Sequence, residues 1–252
     1  MKIALTGDSI LQRRLHSRAD QTLSPLFDLI RAADVSFTNL EVLPNDFAGD
    51  PALESGGSHF GAPAWVLDEL VEGGFDLFST ANNHSLDYGI SGLQAAHEQL
   101  RKRELLFAGT GRNLEEARRP VYCTRPAGTV ALLACSSTYG KGQEASDQSR
   151  DMPGRPGLNP LGYDTLHEVS TEQMDQVRRL IADLGLDRLY QGAVDLGFAH
   201  PLPDPSLQVF GPFTPLLFRE GARTRLRTLA RKKDLDGILR WVEEARLTSD
   251  IV

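Results

Sequence analysis

In the first half of the chain, short continuous apolar runs alternate with stretches of helical period. Met1–Thr6, Asp34–Leu40 and Phe75–Thr80 have the length and composition of buried strands. Between and after them the spacing predicts helices near residues 24–32, 63–73 and 90–103. Ser24-Pro25 is a sound start for the first of these, because the hydroxyl can cap and proline is tolerated in a first helical turn. Beyond Gly109 the pattern changes to paired strands near 119–135, then to a loop rich in Gly, Pro, Ser and Asp over about 138–165. Ser170-Thr171-Glu172-Gln173 has the spacing of a capping box ahead of a helix that ends at Gly185. A last amphipathic helix near 234–247 sets Ile238, Leu239, Trp241, Val242 and Ala245 on one stripe, which needs a neighbour to cover it. Thr248–Val252 reads as the opening of a further strand. The simplest architecture is one α/β unit over residues 1–252, its first half built on parallel strands.

Chemistry collects where those strands stop. Asp8 and Glu41 each follow an apolar run, and the third run leads into Ala81-Asn82-Asn83-His84-Ser85-Leu86-Asp87-Tyr88-Gly89. In an open parallel sheet, functional groups gather beyond the carboxyl ends of the strands, so Asp8, Glu41 and Asn83 can converge although they lie far apart in sequence. Oxygen ligands from three loops suit a divalent cation, and an imidazole at His84 can hand a proton to a leaving group. The first expectation is therefore metal-assisted hydrolysis, with Asp8, Glu41 and Asn83 as ligands and His84 as the acid. Each residue also has an ordinary reading. Asp8 can cap a turn, Asn82 or Asn83 can hold a left-handed backbone, and His84 can be a hydrogen-bonded core histidine.

Gly7-Asp8, Asn39-Leu40-Glu41, Gly61-Ala62-Pro63, Gly74-Phe75-Asp76, the segment Ala81–Gly89, Gly109-Thr110-Gly111 and Arg155–Leu161 occur in an order and spacing that resemble the CapA family of poly-gamma-glutamate capsule biosynthesis proteins. The resemblance runs from residue 1 to about 250 and implies the calcineurin-like metallophosphatase superfamily, with its αββα sandwich. It implies Asp8, Glu41 and Asn83 as ligands of Mn, Fe or Zn, His84 as an acid beside the metal, and a phosphoesterase-type hydrolase acting on a small-molecule or polyanionic polymer substrate. A non-catalytic accessory or binding protein of polymer assembly is the alternative. The family's later Ser-x-His and Gly-His-x-Pro-His-like motifs are missing. None of His16, His59, His84, His97, His167 and His200 stands in such a context. The resemblance therefore implies a sandwich lacking its C-terminal strands, completed either within a longer chain or by a second copy in a homo-oligomer.

Composition narrows the partners. A net charge of −7 argues against a nucleic-acid binder, which needs a basic field. The cluster Arg223, Arg225, Arg227, Arg231, Lys232 and Lys233 reads as a solvated surface, with attraction for a polyanion as the other possibility. No run is long enough for an apolar membrane span, and the amino-terminal run turns polar too soon for a secretory signal, so the expected location is cytoplasmic. Cys123 and Cys135 lack Cys-x-x-Cys spacing and read as buried thiols. A Rossmann phosphate loop at Gly109-Thr110-Gly111 lacks its third glycine and lies far from the first strand. Ser9 and Ser85 both lack the Gly-x-Ser-x-Gly elbow of a serine nucleophile.

Overall fold

Strand β2 (Val35–Leu40) shows how the sequence builds the centre of the fold. Val35 and Phe37 point to one face of a sheet and Leu40 to the other, and both faces are covered. The computed structural model describes residues 1–15, 21–55, 57–202, 204–211 and 216–252, so His16 lies outside the described residues. β1 (Ile3–Ser9), β2, β3 (Leu77–Ser79) and β4 (Leu106–Ala108) form a four-stranded sheet in that order, every neighbouring pair parallel. Helices α1 (Ser24–Arg31), α2 (Trp65–Gly73) and α3 (Gly89–Lys102) connect the strands. Phe27, Ile30, Val66, Leu67, Leu70 and Leu100 from those helices bury one face together with Leu40 and Phe78. The opposite face, through Val35 and Leu77, packs on Cys123 and Val130 of the antiparallel pair β6 (Val121–Arg125) and β7 (Gly128–Leu132).

These elements belong to one of two compact units, Met1–Leu161 with Lys233–Val252. It also holds β5 (Thr110–Gly111), which pairs antiparallel with β8 (Gly157–Leu158), and the short helix α4 (Leu114–Arg118). The 138–165 stretch, read as irregular, thus contains β8 and further bridges at Glu144 with Leu158 and Ser136 with Pro160. Its glycines and prolines hid a structure held by close backbone approach: a Cβ on Gly157 would meet the Gln143 carbonyl. The first helix also differs at its start. Leu23 is already helical and occupies the N-cap, so the Ser24 hydroxyl caps nothing and Pro25 supplies the fixed φ of the first turn.

The second unit, Gly162–Lys232, is built on a sheet of order β10 (Gln208–Phe210), β11 (Leu216–Glu220), β9 (Tyr163–Val169), β12 (Arg225–Ala230). The Ser170 capping box is present, with Gln173 closing it, at the start of α5 (Thr171–Asp183). Gly185 does not simply end that helix. In a left-handed conformation it reverses the chain into α6 (Leu186–Asp195). The basic cluster is exposed, as its sequence reads, yet two of its members, Arg225 and Arg227, converge with Arg219 on the nearly buried Glu168 carboxylate of β9 and hold its pKa down to about 2. The last helix, α7 (Lys232–Ala245), buries Trp241 and Ala245 while Leu239 stays exposed, which narrows the predicted stripe.

Gly109 links β4 to β5 at φ +107°, and a Cβ there would lie 2.6 Å from that of Ala81 and 2.8 Å from that of Ala134. The glycine is spent on this close approach rather than on a phosphate loop. Gly109→Ala is expected to lower the stability of this unit by about 3 kcal/mol, through backbone strain and overpacking together. A shift of the urea midpoint by under a third of that would show that the neighbours yield.

Candidate functional site

The carboxyl edge of the parallel sheet is knitted by two asparagines. Asp8 sits at the end of β1, in register with Asn39 on β2, and Glu41 is the first residue beyond β2. The Asn39 Nδ2 group donates to Asp8 Oδ1 at 2.9 Å and to Glu41 Oε2 at 2.5 Å. Asn82, on the loop after β3, donates to Asn39 Oδ1 at 3.3 Å and to the Leu40 carbonyl at 2.9 Å. Its own Oδ1 accepts the His84 N–H at 3.0 Å, and its N–H donates to Ser85 Oγ at 2.9 Å. Neither Asn82 nor Asn83 is left-handed, since the described non-glycine residues at positive φ are Asp46, Phe47 and Glu104.

His84 is held from three sides. Asp87, fully buried, accepts the Nδ1 proton at 2.8 Å through Oδ2, and the same oxygen accepts the Phe60 N–H at 2.7 Å. The Phe60 ring stacks on the imidazole with centroids 4.2 Å apart. A carboxylate can only accept, so Nδ1 carries the proton toward Asp87 and Nε2 points the other way, 3.9 Å from Glu41 Oε1. Asp87 Oδ1 is buried with no hydrogen-bond partner among the described residues. Burial pushes the Glu41 carboxyl above its ordinary pKa and the neighbouring Asp8 charge adds to this, while His84 and the Asn39 amide oppose it.

Of the residues expected at the site, Asp8 and Glu41 meet at Asn39, and His84 Nε2 lies 3.9 Å from Glu41 Oε1. Asn83 lies on the same loop, half-buried, with no hydrogen bond to its side chain among the described residues. Among those residues no three His, Cys, Asp or Glu side chains are grouped as a metal would require. The donors present are two carboxylates that repel each other and a free amide, a set whose chemistry suits a hard or borderline cation. The roles of Asn39, Asn82, Asp87 and Phe60 were not read from sequence. Asp87, three residues after His84, was the one visible signal. Elsewhere, Cys135 is exposed rather than buried, because β7 ends at Leu132 and leaves it on an open margin.

The fold and site define an α/β protein with a carboxylate, amide and imidazole cluster at the carboxyl edge of a parallel sheet. Residues 2–252 match the family model described as "Bacterial capsule synthesis protein PGA_cap", and the chain belongs to that family. It is 32% identical over 177 residues to the uncharacterized protein y4sH of Sinorhizobium fredii, covering 69% of this chain and 38% of that protein. It is 28% identical over 102 residues to the capsule biosynthesis protein CapA of Bacillus anthracis, covering 40% of this chain and 24% of that protein. With the PGA biosynthesis protein CapA of Bacillus subtilis it shares 30% identity over 92 residues, 36% of this chain and 23% of the relative. The chain thus spans well under half the length of these relatives. Among the described residues, no helix is long and apolar enough to cross a membrane.

Proposed function

We propose that this chain carries the site of a metal-dependent, phosphoesterase-type hydrolase of capsule-polymer biosynthesis, on a calcineurin-like αββα sandwich. The observation that carries the reading is the fixed imidazole: Asp87 accepts the Nδ1–H hydrogen bond and leaves Nε2 facing the Glu41 carboxylate, 3.9 Å away. Asp8, Glu41 and Asn83 would hold Mn, Fe or Zn. Such a metal, when bound, polarises a phosphoryl oxygen and lowers the pKa of bound water. With Nδ1–H held by Asp87, Nε2 is the nitrogen that takes up a second proton from solvent and passes it to the departing oxygen, Phe60 keeps the ring plane, and Asn39 holds the two carboxylates in register. The layering of helices, parallel sheet and β6–β7 pair supports the sandwich.

The alternative is a binding or accessory protein of polymer assembly that keeps the architecture. Metal stripping and refilling, followed by assays on a phosphomonoester and a phosphodiester, separates the two. Asn83→Ala is expected to weaken metal binding about tenfold or more, whereas His84→Ala spares binding and slows turnover about a hundredfold. Equal loss of binding in both variants would make His84 a ligand. Metal content unchanged in an Asp8→Ala, Asn83→Ala double variant would sink the metal-site reading, and bound metal without turnover would favour the accessory role.

A further inference from the structure

Glu168, in the second unit, is a covered carboxylate served by more cations than its charge needs. On β9 it stands in register with Arg219 of β11 on one side and with Arg225 of β12 on the other, and Arg227 follows along β12 on the same face. Its Oε1 accepts from Arg219 Nη2 at 2.8 Å and from Arg227 Nη1 at 3.0 Å, and its Oε2 accepts from Arg225 Nε. Only 6% of the Glu168 side chain is exposed, whereas the side chains of Arg219, Arg225 and Arg227 are 30%, 57% and 42% exposed. Among the described residues each of these guanidiniums gives a single hydrogen bond, to Glu168, so most of its N–H donors are unused.

Three guanidiniums on one carboxylate leave an excess of two positive charges. The acids nearby are engaged elsewhere. Asp164 pairs with Arg231, the Glu220 carboxylate accepts the Thr171 hydroxyl, and Asp204 is held by the Ser206 N–H at 2.8 Å, with Arg219 the weakest influence on it. Arg223, exposed two residues before Arg225, has no ion pair among the described residues and adds to the excess. Gly221 keeps the approach clear: a Cβ there would lie 3.2 Å from the Glu168 Cβ and 3.6 Å from its Cδ, so a side chain at 221 would stand against the group that the arginines surround.

We propose that Arg219, Arg225 and Arg227 form a binding site for a phosphate-class oxyanion on the solvent side of Glu168. A phosphate group carries a charge of about −2 near neutral pH, which matches the excess, and its several acceptor oxygens suit planar guanidinium forks. Glu168 holds those forks before the anion arrives, which lowers the ordering cost of binding. A polymer of single carboxylates fits less well, because its charges are spread along a chain whereas these cations converge from two strands on one point. The site lies within the second unit and is independent of the metal reading above.

The test uses the full chain at constant ionic strength, with a chelator present so that no metal in the first unit takes up phosphate. Arginine Nε–H signals are followed by nuclear magnetic resonance as inorganic phosphate or glycerol phosphate replaces chloride. Saturable shifts confined to Arg219, Arg225 and Arg227 are expected, half complete at about 1 mM. The tighter of the two ligands identifies the source, free phosphate or a phosphorylated molecule. Arg225→Gln and Arg227→Gln are each expected to weaken binding about tenfold, and Arg225→Lys, which keeps the charge but loses the fork, to weaken it by less. Arg178→Gln removes the same charge from the exposed face of α5 and is expected to change nothing. Should Arg225→Gln lose the amide spectrum of the β9 sheet, Arg227→Gln and Arg225→Lys decide alone. Equal weakening by Arg178→Gln, or no saturation beyond the chloride reference, would reduce the effect to net charge and overturn the proposal. So would a glutamate oligomer that binds more tightly than either phosphate compound, since it would give the surface to a polycarboxylate.

Discussion

Asp87→Ala is expected to cost the first unit about 3 kcal/mol, because it removes the acceptor of two buried donors at once. The Phe60 N–H and the His84 Nδ1–H both end on Asp87 Oδ2, and the side chain is fully buried, so water cannot replace it without opening the loop. The same carboxylate joins the segment after β2 to the segment after β3, an arrangement reinforced by the Ala52 N–H on the Asp87 carbonyl at 2.8 Å. Asp87→Asn is expected to lose less, about 1–2 kcal/mol, since an amide oxygen still accepts one of the two donors. Both tryptophans, Trp65 and Trp241, belong to this unit, so urea unfolding followed by their fluorescence reads it directly. The second readout is the nitrogen spectrum of His84. With Asp87 present the proton stays on Nδ1; with Asn it redistributes between the two nitrogens. A loss below 1 kcal/mol in the alanine variant, or an unchanged nitrogen spectrum in both, would mean that the imidazole is held by Phe60 and the loop alone.

What the sequence made visible at this site was position, and what it concealed was connection. The apolar runs ending at Asp8, Glu41 and the Asn82-Asn83-His84 loop announced the sheet edge, because a strand buried on both faces must turn polar where it leaves the core. The hydrogen bonds that organise the edge run from Asn39 to Asp8 and from Asn82 back to Leu40, pairs separated by 31 and 42 residues, and spacing along a chain carries no record of them. The same reason hid β12. Its Arg-Leu-Arg-Thr-Leu pattern reads as a solvated basic face, which it is, but conceals that Arg225 and Arg227 meet, together with Arg219, the carboxylate of Glu168 far away in sequence. Helices fared better, since α1, α3 and α5 follow from local period and α5 also from its own cap. The capped turn at Gly185 was legible too, but the helix after it was not, because one left-handed residue can end a chain segment or redirect it.

Acidification is expected to weaken the same unit through His97, a histidine that no sequence motif singled out. It lies on α3, almost wholly buried, with Nε2 2.7 Å from Thr110 Oγ1, which in turn meets Thr80 Oγ1 at 2.7 Å. Burial lowers its pKa to about 4, and the positive charges of Arg101 and Arg112 push the same way against a smaller pull from Glu116. The folded state therefore keeps His97 neutral down to about pH 4, whereas the unfolded chain takes up the proton below its ordinary 6.5. Between those values the unfolded state binds more protons, so stability is complete above pH 6.5 and falls as the pH drops toward 4. The loss sums to about 3 kcal/mol, a large share of the marginal stability of a small domain. Urea midpoints read by tryptophan fluorescence across this window should decline with a slope of about one proton. His97→Gln, which keeps a hydrogen-bonding group near Thr110 but cannot titrate, should flatten that slope by the same amount even if it lowers the plateau. Equal slopes in the two proteins would place the acid sensitivity elsewhere and show that His97 gains its proton in the folded state.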